Sequence, residues 1–246
     1  MFLALPVLGG ALGCVVASYV TTMALRQTDA AAPAGPRSAC DGCRRPLRFS
    51  EMAPIVSYVA LAGCCRTCAA PISLFHPLGE LAGLVLGAAV MTAAPDWRAL
   101  MLAPMAACLL ASAVIDARTR ILPTKLTAVV ALLGAGLAFA HGPIALVEGL
   151  VSAGLIAGLM ILIRKASRRW RGHIGVGLGD VRLLCAFALW LGVAAWWMIF
   201  AAYALAVIVV ALRGRGDGRI AMGPMIAASG MTIGLLMESG LWPRLL

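Results

Sequence analysis

Long apolar runs alternate along the chain with short stretches that hold nearly all of its charge. The runs fall at Leu3–Leu25, Leu78–Ala94, Ala99–Ile115, Leu126–Ala140, Ile144–Ile163 and Ile220–Leu236. Each is long enough, or nearly so, to cross about 30 Å of hydrocarbon as a helix. Val181–Leu212 is too long for one helix, and its LGVAAWW segment, Leu191–Trp197, predicts a turn that yields a short span followed by Trp196–Leu212. The pattern predicts an all-α, polytopic integral membrane protein of about eight transmembrane helices.

Composition supports this reading and charge orients it. Of 246 residues, 62% are hydrophobic and 12% charged, which excludes an ordinary soluble domain. No basic residue precedes Leu3–Leu25 and Arg26 follows it, the reverse of a cleavable signal peptide. A first span entering with its N-terminus outside places 26–77, 116–125, 164–180 and 213–219 in the cytoplasm. Those segments and Arg182 hold all of the 20 Lys and Arg residues except Arg98 and Arg244, as the positive-inside rule requires. The net charge of +10 is therefore a topology signal, with the acidic headgroups of the lipid bilayer as its partner. No aromatic-basic patch of the kind that binds nucleic acid is present.

The one sizeable polar segment carries Cys40, Cys43, Cys65 and Cys68, in the pattern C-x-x-C, 21 residues, C-x-x-C. Two such pairs can present four thiolates tetrahedrally to Zn2+, and disulfides are disfavoured in a reducing cytoplasm. Cys64 is adjacent, but only Cys65 completes the second pair. Cys14, Cys108 and Cys185 read as small apolar residues of the spans.

Four acidic residues lie near or within spans: Glu80, Asp116, Glu148 and Asp180. Asp116 ends the third span in SAVIDARTRILPTKLT, and Asp180 follows the glycines of GVGLGDVRLL. Two complete spans separate them, so both return to the same membrane face. Paired carboxylates can share one proton, the ionised member activating water and the protonated member polarising a peptide carbonyl. This is the chemistry of aspartyl proteolysis. Gly175, Gly177 and Gly179 would permit positive φ and close backbone approach, so that a peptide could lie beside Asp180. Two other readings stay open: Asp116 paired with Arg118 or Arg120 at the interface, and Asp180 as a helix cap. Glu148 and His141 read as interfacial side chains, as do His76 and His173. A transporter, with the aspartates as a proton or cation relay and the cysteine loop regulatory, is the alternative function.

The stretches CDGCRRPLRFSEMAPIVSYVALAGCCRTCAAPIS, HPLGELAGL, IDARTRILPTKLT, GVGLGDVRLL and IAMGPMIAASG together resemble the bacterial type IV prepilin peptidase family. That resemblance implies a bifunctional enzyme of the bacterial inner membrane. It would cleave the basic leader from prepilins or pseudopilins with Asp116 and Asp180 and methylate the new N-terminus from S-adenosylmethionine. It associates Glu80, in the P-x-x-E stretch, with the methylating half. It also implies a first span at 1–25, a methyltransferase-associated cysteine loop at 26–77 and a peptidase core at 78–246. Three positions depart from the family pattern: Thr21 replaces an asparagine, His76 a tyrosine, and Thr124 an acid.

Overall fold

The computed structural model describes residues 4–29, 37–171, 176–213 and 220–242. Among them the architecture is helical throughout, with no strand beyond two isolated bridges. The helices are α1 (Ala4–Thr28), α2 (Val56–Ala60), α3 (Phe75–Ala93), α4 (Ala99–Thr119), α5 (Thr124–Ala140), α6 (Pro143–Arg171), α7 (Leu178–Leu191), α8 (Ala195–Arg213) and α9 (Gly223–Glu238). The five-residue α2 belongs to the cysteine loop, and the others follow the apolar runs. Helices α1, α3, α4 and α6 and the α7–α8 tract Leu178–Leu212 are long and apolar enough to cross a membrane. Helices α5, α7 and α9 are shorter, with 17, 14 and 16 residues.

Two boundaries have clear local causes. The overlong apolar tract breaks at Gly192, whose φ of 55° suits a residue without Cβ and opens the 3-10 turn Gly192–Ala194. Helix α6 continues past the apolar end at Ile163 into the basic stretch that closes it at Arg171. Arg and Lys form helices well, and their charge suits the negative end of the helix dipole.

Glycines set the closest helix contacts. Gly9 and Gly13 on α1 face Gly83 and Gly87 on α3, and Gly79, one turn earlier, packs against Thr21. The two backbones approach until a Cβ at Gly13 or Gly83 would collide with the other's carbonyl oxygen. Between membrane helices, where lipid is as apolar as leucine, such packing supplies association that hydrophobicity cannot. On α9, Gly230 and Gly234 receive the rings of Phe187 and Trp190 from α7. Leu102, Met105, Leu137, Leu183, Met198 and Met231 fill the centre of the bundle. Leu12, Val15, Leu100, Leu132, Leu150 and Val207 point outward from its flanks, an apolar exterior suited to lipid.

Candidate active site and cysteine cluster

Asp116 lies near the C-terminus of α4 and Asp180 in the first turn of α7. The start of α9 and the link between α4 and α5 bring them to one end of the bundle. The Gly223 N–H donates to Asp116 Oδ2 at 2.9 Å. Leu122 packs against both Gly179 and Gly223, and a Cβ at either would fall 2.9 Å from one of its side-chain carbons. The two carboxyl groups are near enough to interact electrostatically. Arg182 Nη1 donates to Thr124 Oγ1 at 3.0 Å, tying α7 to the start of α5.

The aspartates differ in setting. Asp116 is 4% exposed and takes its hydrogen bond from backbone, while the Arg118 guanidinium lies 5.8 Å from the centre of the Phe75 ring. Asp180 is half-buried, with its carboxylate close against the backbone of Gly177, the residue that precedes α7. It also borders a cavity of about 120 Å³ lined by Leu184, Ala202, Tyr203, Met222 and Ile226.

The glycines act through size and not through positive φ. Gly177 has φ −70° and ψ 143°, and Gly179 is already helical because α7 starts at Leu178. Among the described residues, the glycines with positive φ are Gly63, Gly142, Gly192 and Gly240. A Cβ on Gly177 would instead stand 2.8 Å from Asp180 Oδ2. Gly175 and His173 lie outside the described residues.

Sequence reasoning passed over Gly223 and Tyr203. The signal for Gly223 was Pro224, a residue favoured in the first turn of a helix, which marks the start of α9. Tyr203 is a hydroxyl-bearing residue in an otherwise apolar helix, and nothing in the periodicity points it toward Asp180.

The cysteine loop folds as two similar knuckles. In each, the N–H of the first cysteine bonds back to a carbonyl five residues on, Cys40 to Arg45 at 2.9 Å and Cys65 to Ala70 at 2.8 Å. Arg44 and Ala69, each four residues after that cysteine, take positive φ of 61° and 55°. The four Sγ atoms of Cys40, Cys43, Cys65 and Cys68 lie within 4.8 Å of one another, and Cys40 Sγ is 3.7 Å from Cys68 Sγ. Zn–S bonds of about 2.3 Å give tetrahedral S···S edges of about 3.8 Å, so the donor set fits the ion. The Cys65 thiol is pulled down to about 6, first by the Cys68 N–H and then by that of Thr67. Cys64 stands outside this group. Arg45 grips Glu51 with two hydrogen bonds of 2.8 and 3.0 Å, and this contact leads in holding the Glu51 carboxyl down at about 2.

Glu80 joins this loop to the helices. One oxygen accepts Ser18 Oγ of α1 and the other the backbone N–H of Ile55, both at 2.6 Å. One turn above, Thr21 Oγ1 is buried against Gly79 without a hydrogen-bond partner among the described residues.

Residues 11–94 match the Bacterial Peptidase A24 N-terminal domain, and residues 103–212 match the Type IV leader peptidase family. The prepilin leader peptidase/N-methyltransferase of Neisseria gonorrhoeae is 32% identical over 201 residues, 80% of this chain and 70% of that protein. The chain belongs to the type IV leader peptidase family. With its apolar helices, that membership marks an integral membrane protein. The family protein of the same name from Burkholderia pseudomallei is 38% identical over 205 residues, covering 79% of this chain. That of Aeromonas hydrophila is 38% identical over 162 residues, covering 64%. This chain spans 65% and 54% of the length of those two relatives. No solved structure matches.

Proposed function

We propose that this chain is a membrane aspartyl endopeptidase that removes the leader from prepilins or pseudopilins and methylates the new N-terminus. The placement of Asp116 and Asp180 at one end of the bundle, with Asp180 bordering a small cavity, carries this reading. One carboxylate takes a proton from water as the water oxygen attacks the scissile carbonyl carbon. The other carboxyl gives its proton to the carbonyl oxygen. Collapse of the resulting diol breaks the C–N bond, with a proton returned to the departing amine. The Gly223 N–H leaves one Asp116 oxygen to serve in this exchange, while Asp180 sits at the more open position.

Cys40, Cys43, Cys65 and Cys68 would hold Zn2+, which orders the loop when bound. S-adenosylmethionine supplies the methyl group in the second activity. Glu80 spends both oxygens within the protein, so its part in that activity is to position the loop. We assign the first span to 1–25, the methyltransferase-associated loop to 26–77 and the peptidase core to 78–246. The N-terminus lies outside the bacterial inner membrane, and the aspartates lie at its cytoplasmic face. The transport reading lacks a polar route among the described residues, because Leu102, Met105, Leu183 and Phe187 fill the middle of the bundle.

Incubating membranes that contain this protein with a prepilin, then weighing the pilin N-terminus, tests both activities. Loss of the leader mass and gain of one methyl group are expected; an intact leader would reject the peptidase reading.

A further inference from the structure

Helices α6 and α7 run antiparallel and in close contact. A Cβ at Gly149 would collide with the Leu189 carbonyl oxygen, and further along the pair Cys185 Sγ donates to the Ala153 carbonyl at 3.6 Å. Followed in the same direction, α6 leaves its apolar run at Ile163 as α7 reaches its own start. There Arg164 Nη1 donates to the Val176 carbonyl at 2.5 Å. The first intrahelical bond of α7 runs from the Val181 N–H to the Gly177 carbonyl, so the carbonyl of Val176, one residue earlier, lies outside the helix ladder. A half-buried backbone oxygen in that position needs another donor. A guanidinium suits it, with long reach, a permanent charge and donors in a rigid fork.

What Arg164 grips is the frame of the Asp180 site. Val176 lines the same cavity as Asp180. The next residue, Gly177, stands so close to the carboxylate that a Cβ there would fall 2.8 Å from Asp180 Oδ2. We propose that Arg164 is a positioning residue for proteolysis: by clamping the Val176 carbonyl to α6, it fixes one wall of the cavity and the backbone against which the Asp180 carboxylate is aligned. This role rests on the peptidase reading, and it gives Arg164 no contact with the reacting atoms. Lys165, the exposed next residue of α6, carries the same charge at the same depth without a bond to this link among the described residues. Positive charge at the membrane border is common to both residues, and the clamp belongs to Arg164.

The test compares the full chain in nanodiscs with Arg164→Met, Arg164→Lys and Lys165→Met. Methionine keeps the length and helix propensity of the side chain and removes its donors. Amide hydrogen exchange over 177–181 and steady-state cleavage of a prepilin are measured on each. Arg164→Met should raise that exchange about tenfold and lower kcat about tenfold, with a smaller change in KM and unchanged circular dichroism. Arg164→Lys should recover part of both, and Lys165→Met should match the unsubstituted chain. Unchanged exchange in Arg164→Met would overturn the clamp. Raised exchange with unchanged kcat, or equal losses in Arg164→Met and Lys165→Met, would overturn the positioning role. An intact leader with the unsubstituted chain would instead remove the peptidase reading, while the exchange results still decide whether the clamp exists.

Discussion

Glu80 Oε2 accepts the Ile55 N–H at 2.6 Å and thereby holds a β-branched residue at φ 61° and ψ −50°. Such a backbone conformation costs about 1–3 kcal/mol. A hydrogen bond to a charged acceptor contributes about 1.5–3 kcal/mol, enough to offset it. The contact therefore works as a latch between the helices and the cysteine loop. Glu80→Ala should raise amide hydrogen exchange around Ile55 and α2 at least tenfold, with Glu80→Gln in between. Methylation should fall further than leader cleavage. Unchanged exchange in Glu80→Ala would show that the latch carries no weight.

The aspartates should fail separately from the loop. Asp116→Asn and Asp180→Asn should each lower leader release by at least about 10²–10⁴-fold, the usual contribution of a general acid or base. Bound zinc should be unaffected. Near wild-type cleavage by both variants, at matched folded protein, would remove the peptidase reading.

Gly223 is a positioning residue for Asp116. A Cβ there would stand 2.7 Å from Asp116 Oδ2 and 2.9 Å from Leu122 Cδ2, so Gly223→Ala must displace one of them. Cleavage should drop through kcat while the protein stays folded, because the strain falls on the carboxylate and one leucine. An effect on KM alone would place the glycine in substrate binding.

Purified protein should contain about one zinc per chain, and Cys40→Ser or Cys68→Ser should release it. The knuckle carrying the substitution should become protease-sensitive while α3–α9 keep their helicity. Full zinc content in both variants would reject the ligand set.

Most of the helical order was legible because membrane helices announce themselves by apolar length. Even the break at Gly192 lies where the apolar tract outruns a single helix. The two knuckles were legible from cysteine spacing alone. Gly177 and Gly179 were visible as residues that matter near Asp180, but their reason was misread: a sequence shows that a glycine is present and not whether its φ or its missing Cβ is used. The α1–α3 glycine ladder stands in the sequence at every fourth residue, yet a hydropathy profile averages it away. Glu238 closes the apolar helix α9 with no local pattern to announce its partners. Its burial depends on Arg98, His141 and Trp190, which are brought to it by three other helices.

The short helices set the depth of the chemistry. At 1.5 Å per residue, α5, α7 and α9 are about 26, 21 and 24 Å long, against about 30 Å of hydrocarbon. Their N-termini are the same ends that gather around Asp116 and Asp180. Helices α7 and α9 lie mostly inside the bundle, so their short length falls within the protein, where polar groups are tolerated at membrane depth if they line a water-filled space. Proteolysis needs a water molecule where a lipid-borne peptide segment arrives. Under the proposed peptidase reading, a recess left by these short helices would admit hydrolytic water to Asp116 and Asp180 without a channel through the protein.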